Sequence, residues 1–104
     1  MNANILRAAG LALSLAAGAA YAGDAQITIK NFDFAPASLT VSAGANVTWT
    51  NQDGEPHTVT SESGLFRSGA LDTGQSFSFT FAKPGTYKYV CSIHPRMTGE
   101  IVVK

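Results

Sequence analysis

The chain has 104 residues, 45% of them hydrophobic and 13% charged, with seven basic residues balanced by seven acidic ones. That length suits one small domain, and the lack of a basic excess argues against nucleic acid or an anionic lipid surface as a partner. A single cysteine cannot form an internal disulfide bond. In an oxidising compartment it therefore pairs between molecules, stays free and reactive, or binds a metal.

The first 22 residues have the layout of a secretory signal peptide. A short, weakly positive start leads into an apolar run from Ala8 to Ala20, and a small-x-small cleavage site ends at Ala22. We therefore predict a cleaved signal over residues 1–22, one domain over residues 23–104, and a location in a bacterial periplasm. A retained membrane anchor is the alternative, although the run of 13 residues is shorter than the roughly 20 that span a bilayer.

After the predicted signal peptide, the sequence has the pattern of several short strands. Polar and apolar residues alternate, with many β-branched and aromatic side chains, over residues 26–30, 39–42, 47–50, 76–81, 87–91 and 100–103. Turns that contain glycine or proline separate these segments. We predict an all-β fold, an antiparallel Greek-key β-sandwich. The residues predicted to face inward are Ile27, Ile29, Phe32, Phe34, Leu39, Val41, Val47, Trp49, Phe77, Phe79, Phe81, Tyr87, Tyr89, Ile101 and Val103.

Four residues of the predicted domain carry the chemistry of a metal site. They are His57, Cys91, His94 and Met97, and they include every histidine, cysteine and methionine after the signal. One thiolate, two imidazoles and one thioether form the ligand set of a blue-copper electron-transfer centre. Taken singly, each has an ordinary interpretation: a surface histidine, a small buried cysteine or a methionine that fills a gap. Their joint occurrence favours copper, and zinc less, because a thioether is not among the usual ligands of zinc.

The spacing of these residues indicates how such a site is built. Cys91 ends a predicted strand and the next strand begins near Glu100, so His94 and Met97 lie on the loop between the two. Ligands at intervals of three on a loop can curl round one ion, whereas neighbouring residues of a strand point to opposite faces. His57 must reach the site from a different segment, so the whole fold positions the site.

The pattern Cys91-x-x-His94-x-x-Met97 with an upstream histidine resembles that of the cupredoxins, and the short loop is similar to that of amicyanin. The resemblance continues through Asn31-Phe32-x-Phe34-x-Pro36, Val41-x-Ala43-Gly44-x-x-Val47-x-Trp49-x-Asn51, Pro56-His57-Thr58-Val59, Phe66-x-Ser68-Gly69, Gly74-x-x-Phe77 and Pro84-Gly85-x-Tyr87. It implies a cupredoxin fold and one copper ion that cycles between Cu(I) and Cu(II).

The resemblance also implies roles for individual residues. His57, Cys91 and His94 would form a trigonal plane of ligands with Met97 in the long axial position, and the exposed edge of His94 would be the electron port. Thr58 stands where several relatives have an asparagine that ties the two ligand segments together.

The surface round the implied port has two features of interest. Pro56, Pro95 and Phe66 would form an apolar docking patch there, and the alternative is that the two prolines only stiffen their loops. Arg96 adds a positive charge where the amicyanin loop is more apolar, which argues against the usual amicyanin partner, a methylamine dehydrogenase.

We therefore expect a periplasmic one-electron carrier that works as a monomer, with redox proteins as electron donor and acceptor docking at the His94 edge. After cleavage we expect no membrane insertion. Copper delivery or storage is the alternative function, although a closed four-ligand site is poorly suited to handing over metal. An enzyme such as a copper nitrite reductase or an oxidase is not expected, because Val90 and Ser92 flank Cys91 where those enzymes often place histidines.

Overall fold

The computed structural model describes residues 23–104, so the predicted signal peptide over residues 1–22 lies outside the described part of the chain. The secondary structure of residues 23–104 consists of strands, and no helix in this part has the length and hydrophobicity needed to cross a membrane. The strands are β1 (Ala25–Lys30), β2 (Asp33–Ala35), β3 (Ser38–Val41), β4 (Ala45–Asn51), β5 (Thr60–Ser61), β6 (Ser76–Phe81), β7 (Gly85–Val90) and β8 (Thr98–Val103).

Two four-stranded sheets enclose one hydrophobic core, and this confirms the predicted all-β sandwich. One sheet has the order β2-β1-β4-β6 and the other has the order β3-β8-β7-β5. Two pairings, β1 with β4 and β3 with β8, are parallel, whereas the sequence predicted antiparallel pairs throughout. The difference arises because the chain changes sheets between β2 and β3 and again between β3 and β4. Such crossovers let non-consecutive strands run in the same direction, which a tight hairpin cannot do.

Trp49 of β4 lies fully buried at the centre of the core. Its indole stacks on Phe66 with ring centroids 5.8 Å apart, and Phe81 and Tyr89 pack against it at 6.4 and 5.4 Å. Aromatic side chains bury large apolar areas, so this cluster contributes strongly to the stability of the sandwich. The residues predicted to face inward are buried, apart from Phe32 and three partly buried residues, Phe77, Phe79 and Tyr87.

Two aromatic residues lie elsewhere than the sequence predicts. Phe32, predicted to face inward, is 46% exposed because it occupies the two-residue turn between β1 and β2, where strand alternation no longer applies. Phe66, predicted to contribute to a surface patch, is 4% exposed and belongs to the core. Neither residue lies in a strand, so no periodic pattern is available from which its burial could be predicted.

Two strands are not predicted from the sequence, because β2 has three residues and β5 has two. Segments this short cannot display an alternating pattern that stands out from chance. Both strands nevertheless lie beside the candidate site. β2 forms one arm of the hairpin that carries Phe32, and β5 pairs Thr60 with Val90, the residue before Cys91.

Candidate metal centre

Three donor atoms from two distant segments of the chain converge in a small triangle. Nδ1 of His57 lies 3.7 Å from Sγ of Cys91 and 3.2 Å from Nδ1 of His94, and the remaining side, from Sγ to Nδ1 of His94, measures 3.8 Å. The centre of this triangle is about 2.1 Å from each atom, which is a usual metal–imidazole bond length and slightly shorter than a zinc–thiolate bond. His57 and Cys91 are buried and His94 is partly buried. The donor atoms therefore fit a single, largely enclosed metal ion.

Backbone hydrogen bonds close the loop that carries Cys91, His94 and Met97. The amide of Cys91 donates to the carbonyl of Met97 at 3.0 Å, and the amide of Met97 donates to the carbonyl of His94 at 2.9 Å. The pairing of Val90 with Thr98 joins β7 to β8 just outside this loop. Met97 is 4% exposed and packs in the core cluster. These hydrogen bonds, the pairing of the flanking strands and the burial of Met97 hold the loop in its curled conformation.

His57 approaches from the other side of the loop and is held at both ends of its side chain. Its backbone exchanges two hydrogen bonds with Leu71, at 3.1 and 2.7 Å. Its Nε2 donates a hydrogen bond to the carboxylate of Asp53 at 2.8 Å. An ionised carboxylate only accepts hydrogen bonds, so the proton resides on Nε2 and the lone pair of Nδ1 faces Cys91 and His94.

Asp53 is itself fixed by a group of hydrogen bonds. Its carboxylate accepts from the amides of Asn31 and Phe32, at 2.6 and 2.9 Å, and its own amide donates to the side chain of Asn51 at 2.8 Å. Burial alone would raise the pKa of the Asp53 carboxyl, but the hydrogen bonds from Phe32, Asn31 and His57 outweigh burial and hold that pKa below its usual range. The carboxylate is therefore ionised at neutral pH and remains an acceptor for His57.

Cys91 lies in surroundings that favour its thiolate. Its Sγ accepts a hydrogen bond from the amide of Thr58 at 3.3 Å. Burial raises the pKa of the thiol, but the Thr58 amide, the nearby imidazoles of His57 and His94 and the backbone of His94 outweigh burial and lower the pKa to about 6. The thiolate is the form of cysteine that binds metals. At neutral pH Cys91 is therefore a thiolate in most molecules and can bind a metal.

Thr58 also ties the two ligand segments together through its hydroxyl group. Its Oγ1 accepts a hydrogen bond from the amide of Ser92 at 2.7 Å and lies 2.8 Å from the hydroxyl of the same serine. Thr58 follows His57 and Ser92 follows Cys91, so this contact fixes one ligand segment directly against the other. The threonine thus provides a link of the kind that the resemblance to cupredoxins assigns to an asparagine.

The residues that flank the two histidines in sequence, and the turn residue that contacts their rings, expose apolar side chains. Ile93 is 45% exposed, Phe32 is 46% exposed, and Pro56 and Pro95 are exposed as well. The ring of Phe32 stands edge-on to both imidazoles, with centroids 5.3 Å from His57 and 5.0 Å from His94. Phe66 has no part in this surface because it lies in the core.

Sequence reasoning missed two residues of this region, Asp53 and Phe32. The sequence gives a weak indication that Asp53 supports the site, since Asp53 stands four positions before His57 at a turn. Phe32 also stands out, because an asparagine–phenylalanine pair occupies a two-residue hairpin turn in which asparagine–glycine is the usual pair. The contacts of both residues depend on which strands lie side by side, and that is not apparent from the sequence.

The chemistry of the donor set narrows the choice of metal. A thiolate and imidazoles suit copper and zinc, whereas calcium and magnesium prefer oxygen ligands. Within residues 23–104 the three convergent donors include no carboxylate, because Asp53 contacts the far nitrogen of His57. A methionine in the same loop offers a soft fourth ligand, which copper accepts and zinc rarely takes.

Comparison with known proteins agrees with this chemistry. Residues 4–103 match the family described as the cupredoxin-like domain. The chain is 37% identical over 102 residues to amicyanin-alpha of Methylorubrum extorquens, covering 88% of this chain and 86% of that protein. It is 37% identical over 84 residues to plastocyanin of Scenedesmus fuscus, covering 68% and 86% respectively.

A solved structure supports the same assignment. A purple cupredoxin from Nitrosopumilus maritimus superimposes with a TM-score of 0.73 at 40% sequence identity, over 78% of this chain and all of that one. The chain therefore belongs to the cupredoxins of the amicyanin and plastocyanin type, which are copper-binding electron carriers and not enzymes.

Proposed function

We propose that this chain is exported to the periplasm and carries single electrons there between two redox proteins. In this proposal His57, Cys91, His94 and Met97 would hold one copper ion through two imidazoles, one thiolate and one thioether. The observation that carries the proposal is the triangle of donor atoms with sides of 3.2 to 3.8 Å. When bound, copper supplies the one-electron exchange between Cu(I) and Cu(II).

The residues round the triangle suit this task because they hold the donors in place whether or not an electron is present. Asp53 fixes the orientation of His57, and Thr58 fixes one ligand segment against the other. The hydrogen bond from the Thr58 amide stabilises negative charge on the sulfur of Cys91. Ligands that cannot move far need little rearrangement between oxidation states, which favours rapid electron transfer.

The proposed docking face surrounds His94, the least buried of the three convergent donors. Ile93, Pro56 and Pro95 are exposed and apolar, so they offer a surface from which a partner can exclude water. A monomer would present this face to a donor and then to an acceptor. Electron transfer through the same edge in both directions requires each complex to be short-lived, which a small apolar patch permits.

The test is the visible absorption and EPR spectrum of the protein after loading with copper and oxidation. We expect an intense thiolate-to-copper band and narrow copper hyperfine splitting, and we expect Cys91→Ala to abolish both. Within the mature protein no other cysteine can replace the thiolate. A colourless protein that holds Cu(I) and resists oxidation, or that prefers zinc, would contradict the carrier role and favour copper delivery or storage.

A further inference from the structure

We propose that Phe32 is a positioning residue that holds the ring of His94 and shields both imidazoles from solvent. The proposal rests on the proposed copper site and adds to it a residue outside the four ligands. It begins with the backbone of the turn between β1 and β2, where Asn31 and Phe32 have φ angles of 54° and 58°.

Phenylalanine is an unusual residue at the second position of this turn. Left-handed φ angles at both central positions of a two-residue hairpin are the signature of a type I′ turn, and the second position normally holds glycine. A side chain as large as phenylalanine is strained in that region. An exposed apolar ring adds nothing to solubility. The residue is thus unfavourable for the local backbone, which points to a role elsewhere in the molecule.

Asp53 connects this turn to the metal site. Its carboxylate accepts hydrogen bonds from the amides of Asn31 and Phe32 and from Nε2 of His57. Two of these bonds, from Phe32 and His57, end on the same oxygen, Oδ2. The position of the phenylalanine and the orientation of the first imidazole are therefore set by one group.

The two imidazoles are held by different means. His57 is fully buried and its far nitrogen is fixed by Asp53. His94 is partly buried, and among residues 23–104 no hydrogen-bond partner lies at its Nε2. Phe32 stands edge-on against the His94 ring, with centroids 5.0 Å apart and planes at 89°. Edge-to-face contacts are favourable, so this ring takes the positioning role for His94 that the carboxylate has for His57.

The test compares Phe32→Ala and Phe32→Gly in the copper-loaded, reduced protein, with excess bathocuproine disulfonate as the chelator. Both changes remove the ring, and we expect both to speed capture of Cu(I) about three- to tenfold, the factor that corresponds to the loss of one aromatic contact. The control is Leu65→Ala, since Leu65 is 50% exposed and lines a separate groove with Phe79, Lys83 and Tyr87. We expect this control to leave the capture rate unchanged.

The two variants also separate positioning from simple destabilisation. Alanine keeps a Cβ in the left-handed region and glycine does not, so the metal-free glycine variant should melt about 4 °C or more above the alanine variant. Equal acceleration in two proteins of unequal stability supports the positioning role. Capture rates that follow the melting temperatures, or that match the parent, would overturn it.

A measurement on the metal-free protein tests the same role without copper. By NMR relaxation of the imidazole ¹³C nuclei, the His94 ring should become more mobile in both variants, whereas the His57 ring should not, because Asp53 still holds it. An unchanged His94 ring would refute the role of Phe32 even if the copper site is as proposed. A parent protein that binds no copper would instead refute the proposed function.

Discussion

His57 is held in place through an acidic residue that belongs to no metal-binding pattern in the sequence. Asp53 accepts three hydrogen bonds from the turn residues and the imidazole, all within 2.6 to 2.9 Å. Because the carboxylate is ionised, it fixes the proton on Nε2 and leaves Nδ1 free to bind a metal. At the scale of single residues, the site therefore depends as much on its supporting groups as on its ligands.

Replacement of Asp53 with asparagine tests that dependence. The amide group of asparagine brings two N–H donors to a place where three other donors already converge, so at least one buried hydrogen bond is lost. We expect the metal-free Asp53→Asn protein to lose about 1–3 kcal/mol in the free energy of unfolding. In the copper-loaded protein we expect a shifted reduction potential, because His57 is no longer oriented.

Urea denaturation of the metal-free protein and voltammetry of the loaded protein measure these two effects. Asp24→Asn is a matched control, since Asp24 is exposed and the substitution changes the net charge by the same amount. A potential and a stability equal to those of the parent would show that Asp53 does not position His57.

Among the strands, β7 and β8 bear most directly on the site because they flank the ligand loop. Tyr89 of β7 pairs with Gly99 of β8, and a side chain at position 99 would collide with the ring and hydroxyl of the tyrosine. The tyrosine ring cannot easily move, since it also packs edge-on against Phe34 and Trp49. The glycine thus provides the space in which β7 delivers Cys91 to the site two residues later.

The substitution Gly99→Ala should therefore weaken both the fold and the site. Overpacking in a well-packed core costs about 1–3 kcal/mol, and displacement of Tyr89 should alter the thiolate-to-copper absorption band. Thermal unfolding and the visible spectrum report the two effects. Gly69→Ala is the control, because an added Cβ there has no neighbour within 4 Å and should change stability by less than about 0.5 kcal/mol. Similar behaviour of the two variants would contradict this account of β7.

At the scale of the whole molecule, most of the buried core of the sandwich consists of apolar side chains that are not proposed metal ligands. The buried cluster includes Trp49, Phe81, Tyr89 and Ile101 from both sheets, each at most 1% exposed. The donor triangle is held by hydrogen bonds to protein groups, as the contacts of Asp53 and Thr58 illustrate. A fold of this kind should form first and then present a nearly complete site to the metal.

Removal of copper should accordingly leave the protein folded but less stable. We expect the far-UV circular dichroism spectrum to be retained after chelation, and the thermal midpoint to fall because a ligand that binds the folded state stabilises it by mass action. Cys91→Ala should show almost no difference between the two conditions. Loss of the β-sheet signal on chelation would show instead that the metal is required for folding, as in small zinc domains.

Local sequence patterns were enough to predict most of the strands and the candidate donor residues. The alternation in residues 76–81 predicted β6 with both of its ends, and the residue types of His57, Cys91, His94 and Met97 predicted a blue-copper ligand set. Side-chain alternation is a property of neighbouring residues, and ligand chemistry is a property of each residue type. Both can therefore be recognised without knowledge of the fold. The assignment of these four residues as ligands stays a prediction that the spectrum will test.

Contacts between distant segments were decided by tertiary structure alone. His57 meets Cys91 across 34 positions of sequence, and Asn31 meets Asp53 across 22. Such contacts depend on the order and direction of the strands, including the parallel pairing of β1 with β4 that the sequence did not predict. The same pairing brings the β1–β2 turn to the metal site, so Phe32 contacts two histidines there and does not enter the core. Periodicity predicts which face of a strand is buried, but strand packing determines which residues meet at its ends.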